Sequence, residues 1–235
     1  LLLPCLLHAR GVNVASPSPD LAVSMLQIVL SGYLLLFLTG TNSERRSQQL
    51  LVIIASIAAI GISIKLSFAA FGAISLIVAL VIWCSGALGY RPGYAATRHT
   101  ALLLIMTMGA ILIPWSIRGI VTSGYFAYPC SFFPAPVDWL IPREAVINAS
   151  DFIRDWARQH GRHGHIVERD NEWIYPWVCA TLTRKKVWIS MLVAIPAFFT
   201  ALALSVSPTK YSQFRNMWWL FLAPCCGSLL LWFLM

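Results

Sequence analysis

Across 235 residues the sequence is 58% hydrophobic and 11% charged, with a mean hydropathy of +0.72, whereas soluble domains carry about 25% charged residues. That excludes an ordinary soluble domain and predicts an all-α, multi-pass membrane protein. The net charge of +8 suits contact with membrane lipids bearing anionic headgroups; because the Lys and Arg residues are spread over many loops and form no recognition helix, no nucleic-acid partner is expected.

Residues 1–20 read as an outer loop or the end of a preceding span. Residue 1 is leucine and the last apolar stretch runs to Met235 without a polar flank, so the chain is expected to be a piece of a larger protein. The apolar run Leu1 to Leu7 lacks the basic leader and cleavage site of a signal peptide, which leaves the end of an earlier span or loop as the alternative. Crossing a hydrocarbon core of about 30 Å takes about 20 helical residues. Leu21 to Thr39 meets that requirement, with Gln27 its one strongly polar member. Leu50 to Leu88 is too long for one crossing and holds a single charge, Lys65, so it must turn back, either at Lys65 or near Gly72. Ala101 to Ile117 is the fourth span and completes a four-span region over residues 21–117. Val187 to Val206, with a kink expected at Pro196, and Met217 to Met235 form a two-span region over 187–235. About six transmembrane helices result, with one long extramembrane loop.

That loop, residues 118–186, holds nine of the 17 basic and seven of the nine acidic residues. Arg45, Arg46, Arg91, Arg98, Lys210 and Arg215 all fall on the opposite face, which the positive-inside tendency makes cytoplasmic. The loop is therefore expected outside the cytoplasm, although Arg118, Arg184, Lys185 and Lys186 sit close to the membrane on that side. Its first third, from Ser123 to Trp139, is too rich in aromatics and prolines for a helix or a disordered linker. Pro129, Pro134, Pro136 and Pro142 favour a stiff, extended path. Two readings stand open for the aromatics: a Trp and Tyr lid at headgroup depth, or a surface that stacks on sugars or polyprenyl chains beside the acceptor Asp138.

From Pro142 to near Gly161 the apolar positions Val146, Ala149, Phe152, Ile153, Trp156 and Ala157 recur at helical spacing, an amphipathic helix. Asp151 with Arg154, and Asp155 with Arg158, are placed to pair on its wet face; Phe152 and Trp156 face either a packed core or the membrane interface. His160, His163 and His165 follow in a glycine-rich stretch beside Arg162, a poor setting for a cation, so no metal and no cofactor are expected. Asn148-Ala149-Ser150 fits a glycosylation acceptor pattern but falls inside the expected helix. Cys84, Cys225 and Cys226 lie in apolar spans, whereas Cys130 and Cys179 lie in the polar loop and would either pair in an oxidising compartment or remain two thiols.

The run Arg118-Gly-Ile-Val-Thr-Ser-Gly-Tyr-Phe-Ala-Tyr-Pro129, followed by Pro136-Val-Asp-Trp139 and Trp156-Ala-Arg158, resembles a loop of large bacterial multi-pass membrane proteins, many of unassigned function, that look like GT-C type glycosyltransferases. Ala15-Ser-Pro-Ser-Pro-Asp20 and Ile64-Lys-Leu-Ser67 resemble further segments of the same proteins. The resemblance implies an envelope protein of the bacterial inner membrane, a polyprenyl-phosphate-linked sugar as partner, and a catalytic acid in an early outer loop. No residue here matches that acid, so the chain, as a carboxy-terminal portion, would supply binding surface. Ionisable groups at membrane level tend to mark functional paths. On that ground the candidate site residues, all on the expected outer face, are Asp20, Lys65, Arg118, Tyr125, Tyr128, Asp138 and Trp139. Arg118 or Lys65 would meet a donor phosphate and Asp20 or Asp138 a sugar hydroxyl; the alternative readings are that Lys65 snorkels and Asp20 caps the helix that begins at Leu21. The competing functions are a transporter or flippase, which the nearly charge-free spans disfavour, and a membrane subunit without chemistry.

Overall fold

The computed structural model describes residues 20–39, 43–87, 92–158, 173–183 and 212–234. Among these the regular structure is helical: α1 (Asp20–Thr39), α2 (Glu44–Ile64), a single 3-10 turn (Leu66–Phe68), α3 (Ala69–Ser85), α4 (Tyr94–Ser123), α5 (Arg143–Arg158), α6 (Ile174–Leu182) and α7 (Ser212–Leu234). Four described helical stretches are long and apolar enough to cross a membrane: Asp20–Thr39, Glu44–Ile64, Leu66–Ser85 and Tyr94–Ser123. These are the helices of an integral membrane protein. The expected fifth span, Val187 to Val206, lies outside the described residues, as do His160, His163 and His165.

The chain forms two compact units, residues 1–112 with 194–235, and residues 113–193. The boundary falls inside α4, beside Pro114.

In the first unit the long apolar run is broken at Lys65. Its backbone is extended at φ −151° and ψ 121°, and its N–H still donates to Gly61 O at 3.0 Å, so α2 closes and the chain reverses through the 3-10 turn. Phe68 is fully buried and fills the space beside Gly61, where any Cβ would overlap its ring. That packing selects Lys65 over Gly72 as the break: Gly72 instead lies inside α3, where a Cβ would come 3.2 Å from Ala58 Cβ. Ser43 caps α2 at the other end, its Oγ accepting from Arg46 N at 3.4 Å, and Gly86 ends α3 in the left-handed region at φ 75°.

One face of each helix enters a common core. Val23, Leu30, Leu34 and Phe37 of α1 recur at three-, four- and seven-residue steps; Leu50, Leu51, Ile54 and Ala55 of α2 meet them, with Phe71, Val78, Ala79, Ile82 and Trp83 of α3 and Leu104 of α4. α3 packs against α2 and α7, and α1 against α2. Between apolar helices in lipid the favourable term is close packing rather than removal from water, and the small residues Ala55, Ala58, Ala59 and Gly61 along α2 allow it. Hydroxyls on these helices mostly return to their own backbone, as Ser56 Oγ does to Val52 O at 2.7 Å and Ser75 Oγ to Phe71 O at 2.8 Å. Ser47 Oγ, Thr100 Oγ1 and Trp83 Nε1 are buried without a hydrogen-bond partner among the described residues.

In the second unit, α5 begins directly after Pro142, whose carbonyl accepts from Ala145 N at 3.0 Å, and is described to Arg158; the expected end near Gly161 lies outside the described residues. Asp151 and Arg154 pair at 3.4 Å. Arg158 forms no ion pair with Asp155 among the described residues; its guanidinium lies over the Trp173 ring, 4.8 Å from the centroid. Burial, and then the like charge of Arg154, draw the Arg158 pKa below its ordinary value, with Asp155 opposing. Cys130 and Cys179 are both free thiols, so the disulfide considered for this loop does not form.

Candidate functional site: an ordered aromatic loop

The functional candidates of the second unit lie on the connection between α4 and α5, and its order begins at the end of α4. Gly124 adopts φ 80° and its N–H donates to Ile120 O at 2.8 Å, which ends the helix in a left-handed cap. A side chain is excluded there twice over, by the backbone angle and because a Cβ would lie 2.9 Å from Leu140 Cα. One turn earlier, a Cβ on Gly119 would stand 2.7 Å from Tyr125 O, so only glycine lets the chain fold back along the helix.

The connection then closes on itself. Ile141 N donates to Ser123 O at 3.1 Å and Ala135 N to Gly124 O at 2.8 Å, and Tyr125 and Pro134 form an antiparallel bridge. Tyr125 is 1% exposed, and its hydroxyl donates to Ile141 O at 3.1 Å. Trp139 Nε1 donates to Ile120 O at 3.1 Å, a second hydrogen bond on the carbonyl that also accepts from Gly124 N. Tyr128-Pro129 is a cis peptide, and a turn after Ala127 is closed by Cys130 N at 2.8 Å. With its ends hydrogen-bonded together around one buried aromatic, the connection is a compact surface loop of the Ω type.

This geometry divides the seven candidates. Asp20 and Lys65 pair with each other in the first unit, between the start of α1 and the end of α2. Both side chains are about half exposed, so the pair is a boundary contact of modest strength. Tyr125 faces inward and shapes the loop. Tyr128, Asp138 and Trp139 remain exposed on it, and Arg118 is exposed on the last turns of α4. Asp138 and Arg118 make no ion pair among the described residues.

Two residues that sequence reasoning passed over stand out. Phe132 and Phe133 are 67% and 77% exposed, and Phe133 has φ 59°, a region that bulky L-residues seldom occupy. Nothing in a Ser-Phe-Phe-Pro stretch announces a positive φ. The signal available was only that two adjacent phenylalanines in a proline-stiffened loop have little core to enter. Groups of three or more His, Cys, Asp or Glu able to hold a metal ion are absent among the described residues.

A family described as Domain of unknown function (DUF8201) matches residues 1–235. The chain belongs to that family. No curated protein and no solved structure matches it. In this DUF8201 chain the exposed candidates of the second unit are Arg118 on α4 and Tyr128, Asp138 and Trp139 on the loop.

Proposed function

We propose that this chain is part of a bacterial inner-membrane protein resembling GT-C glycosyltransferases, and that its α4–α5 loop is the outer surface against which a polyprenyl-phosphate-linked saccharide rests. On this reading six spans cross the membrane, residues 118–186 face away from the cytoplasm, and α5 is the amphipathic helix of the extramembrane loop. The observation that carries it is a rigid loop with exposed recognition groups at the end of an apolar helix. Hydrogen bonds around Tyr125 fix its shape, while Tyr128 and Trp139 are 42% and 56% exposed.

Such a surface suits a sugar. Aromatic rings offer flat apolar area at low conformational cost, and a carboxylate accepts hydrogen bonds from hydroxyls. Because the loop is already ordered, little conformational freedom remains to be lost on binding. Arg118, near the helix end, supplies a planar guanidinium for a phosphate. The role assigned to these residues is holding the ligand. Asp20 is engaged by Lys65, and no acid of this chain is given the transfer step. The transport alternative has less support, since that ion pair sits at helix ends rather than at mid-membrane depth.

The test is binding of undecaprenyl phosphate, with and without an attached sugar, to the full chain in lipid nanodiscs. Trp139→Ala and Asp138→Ala are expected to weaken binding of the glycosylated lipid by about tenfold, equivalent to about 1.4 kcal/mol, and to leave the bare lipid phosphate unaffected. Equal binding of both ligands by wild type and variants would overturn the assignment.

A further inference from the structure

We infer that the Phe132–Phe133 tip enters the headgroup–acyl boundary of the bilayer, so that the α4–α5 loop is anchored at one end by the helix and at its tip by lipid. This requires only that α4 crosses the membrane; it stands apart from the saccharide reading.

Scattered exposed apolar residues need no explanation, but this pair is not scattered. Phe133 is held at φ 59° immediately before the Tyr125–Pro134 bridge. A backbone conformation of this kind persists only where its surroundings fix it. The result is two adjacent phenyl rings on a rigid base, with Phe126 also 43% exposed on the same loop.

The occupant follows from where the loop is attached. Ile113, Ile117 and Val121 lie at four-residue steps on α4 and are 61%, 54% and 64% exposed, an apolar stripe that runs to within one turn of the helix end at Ser123. On a spanning helix such a stripe meets acyl chains. The tip cannot travel far from it. Pro134 is bridged to Tyr125, so the Phe133 backbone stays within about 10 Å of Tyr125, given the spacing of paired strands and of consecutive Cα atoms. That reach is of the order of the headgroup layer, about 5–7 Å in each leaflet. Charge agrees with the placement. Arg118 is exposed beside the stripe and Arg143 at the start of α5, and a guanidinium at this depth reaches lipid phosphate while its stem lies on apolar groups.

The experiment places a genetically encoded, environment-sensitive fluorescent residue at position 133 of the full chain in nanodiscs, with the same residue at Asp151, on the wet face of α5, as the reference. Position 133 is expected to be quenched by lipids brominated in the acyl chains more strongly than position 151 and to be shielded from aqueous iodide. Quenching by iodide without quenching by bromolipid would place the tip in water and overturn the inference. Quenching by neither would mean that protein covers it, which overturns the lipid assignment equally. The probe at Phe132 repeats the measurement if substitution at 133 disturbs the tip; the positive φ of Phe133 is tolerated by glycine, so Phe133→Gly provides a folded control in which the loop keeps its protease resistance in detergent.

Discussion

The two units are stabilised in opposite ways. In the first, side chains carry the structure: Leu30, Phe37, Leu51, Ile54 and Phe68 are fully buried in one core, and the helices meet through alanine and glycine. In the second, the loop is held mainly by its backbone, through Ser123, Gly124, Ala135 and Ile141, around a single buried tyrosine, while large apolar side chains point outward. A bundle in lipid needs only apolar residues of roughly fitting size. A surface that presents chosen groups needs particular residues at particular places. Sensitivity to substitution should therefore be broad and shallow in the first unit and narrow and steep in the second.

The largest effect is expected at Tyr125. Tyr125→Ala removes a buried ring and its hydrogen bond and should cost about 3–5 kcal/mol of loop stability, seen as proteolysis between Phe126 and Leu140; Tyr125→Phe should cost about 0.5–1.5 kcal/mol. If Tyr125→Ala cost no more than Tyr128→Ala, the contrast between anchor and presented ring would fail. Next comes a glycine pair. Gly124→Ala meets both a positive φ and Leu140, and should destabilise by at least about 1–2 kcal/mol. Gly32→Ala in α1, with nothing within 4 Å of the added Cβ, should instead raise stability by about 0.5–1 kcal/mol in thermal unfolding.

Thr100→Val sharpens the comparison from the other side. Its hydroxyl is buried without a partner among the described residues, so the isosteric change should stabilise the first unit by about 1 kcal/mol, read as a rise in Tm. The smallest effect belongs to the exposed Asp20–Lys65 pair. Asp20→Asn should lower stability by less than about 1 kcal/mol, with the difference from wild type shrinking further at high salt.

Much of the first unit could be read from sequence because apolar length and spacing determine membrane helices. Leu21 to Thr39 anticipates α1 to within a residue. The ends of α4 were missed, since Ala101 to Ile117 was bounded by charge, whereas the helix runs from Tyr94 to Ser123 with Arg98 and Arg118 inside it. Arginines near helix ends reach water along their own stems, so they do not stop a helix. The position of the break between α2 and α3 depended on Phe68 packing at Gly61, a contact that hydropathy cannot see.

The loop was legible as ordered and aromatic, but its inward and outward residues were not. Tyr125 and Tyr128 are the same residue type three positions apart, one 1% and the other 42% exposed. Their difference comes from the closure of Ser123 on Ile141, a pairing across the whole loop. The Asp20–Lys65 pair was hidden for the same reason: two residues each explicable by its own helix end meet only once α1 and α2 pack antiparallel.

The central claim, that the loop rather than the helical core meets the ligand, is tested most directly by photo-crosslinking the full chain in nanodiscs with an undecaprenyl-phosphate saccharide bearing a diazirine on the sugar. Adducts confined to the peptides containing Tyr128, Asp138 and Trp139, and lost in Trp139→Ala, are the predicted result. Adducts on α1 to α3 with none on the loop would contradict it.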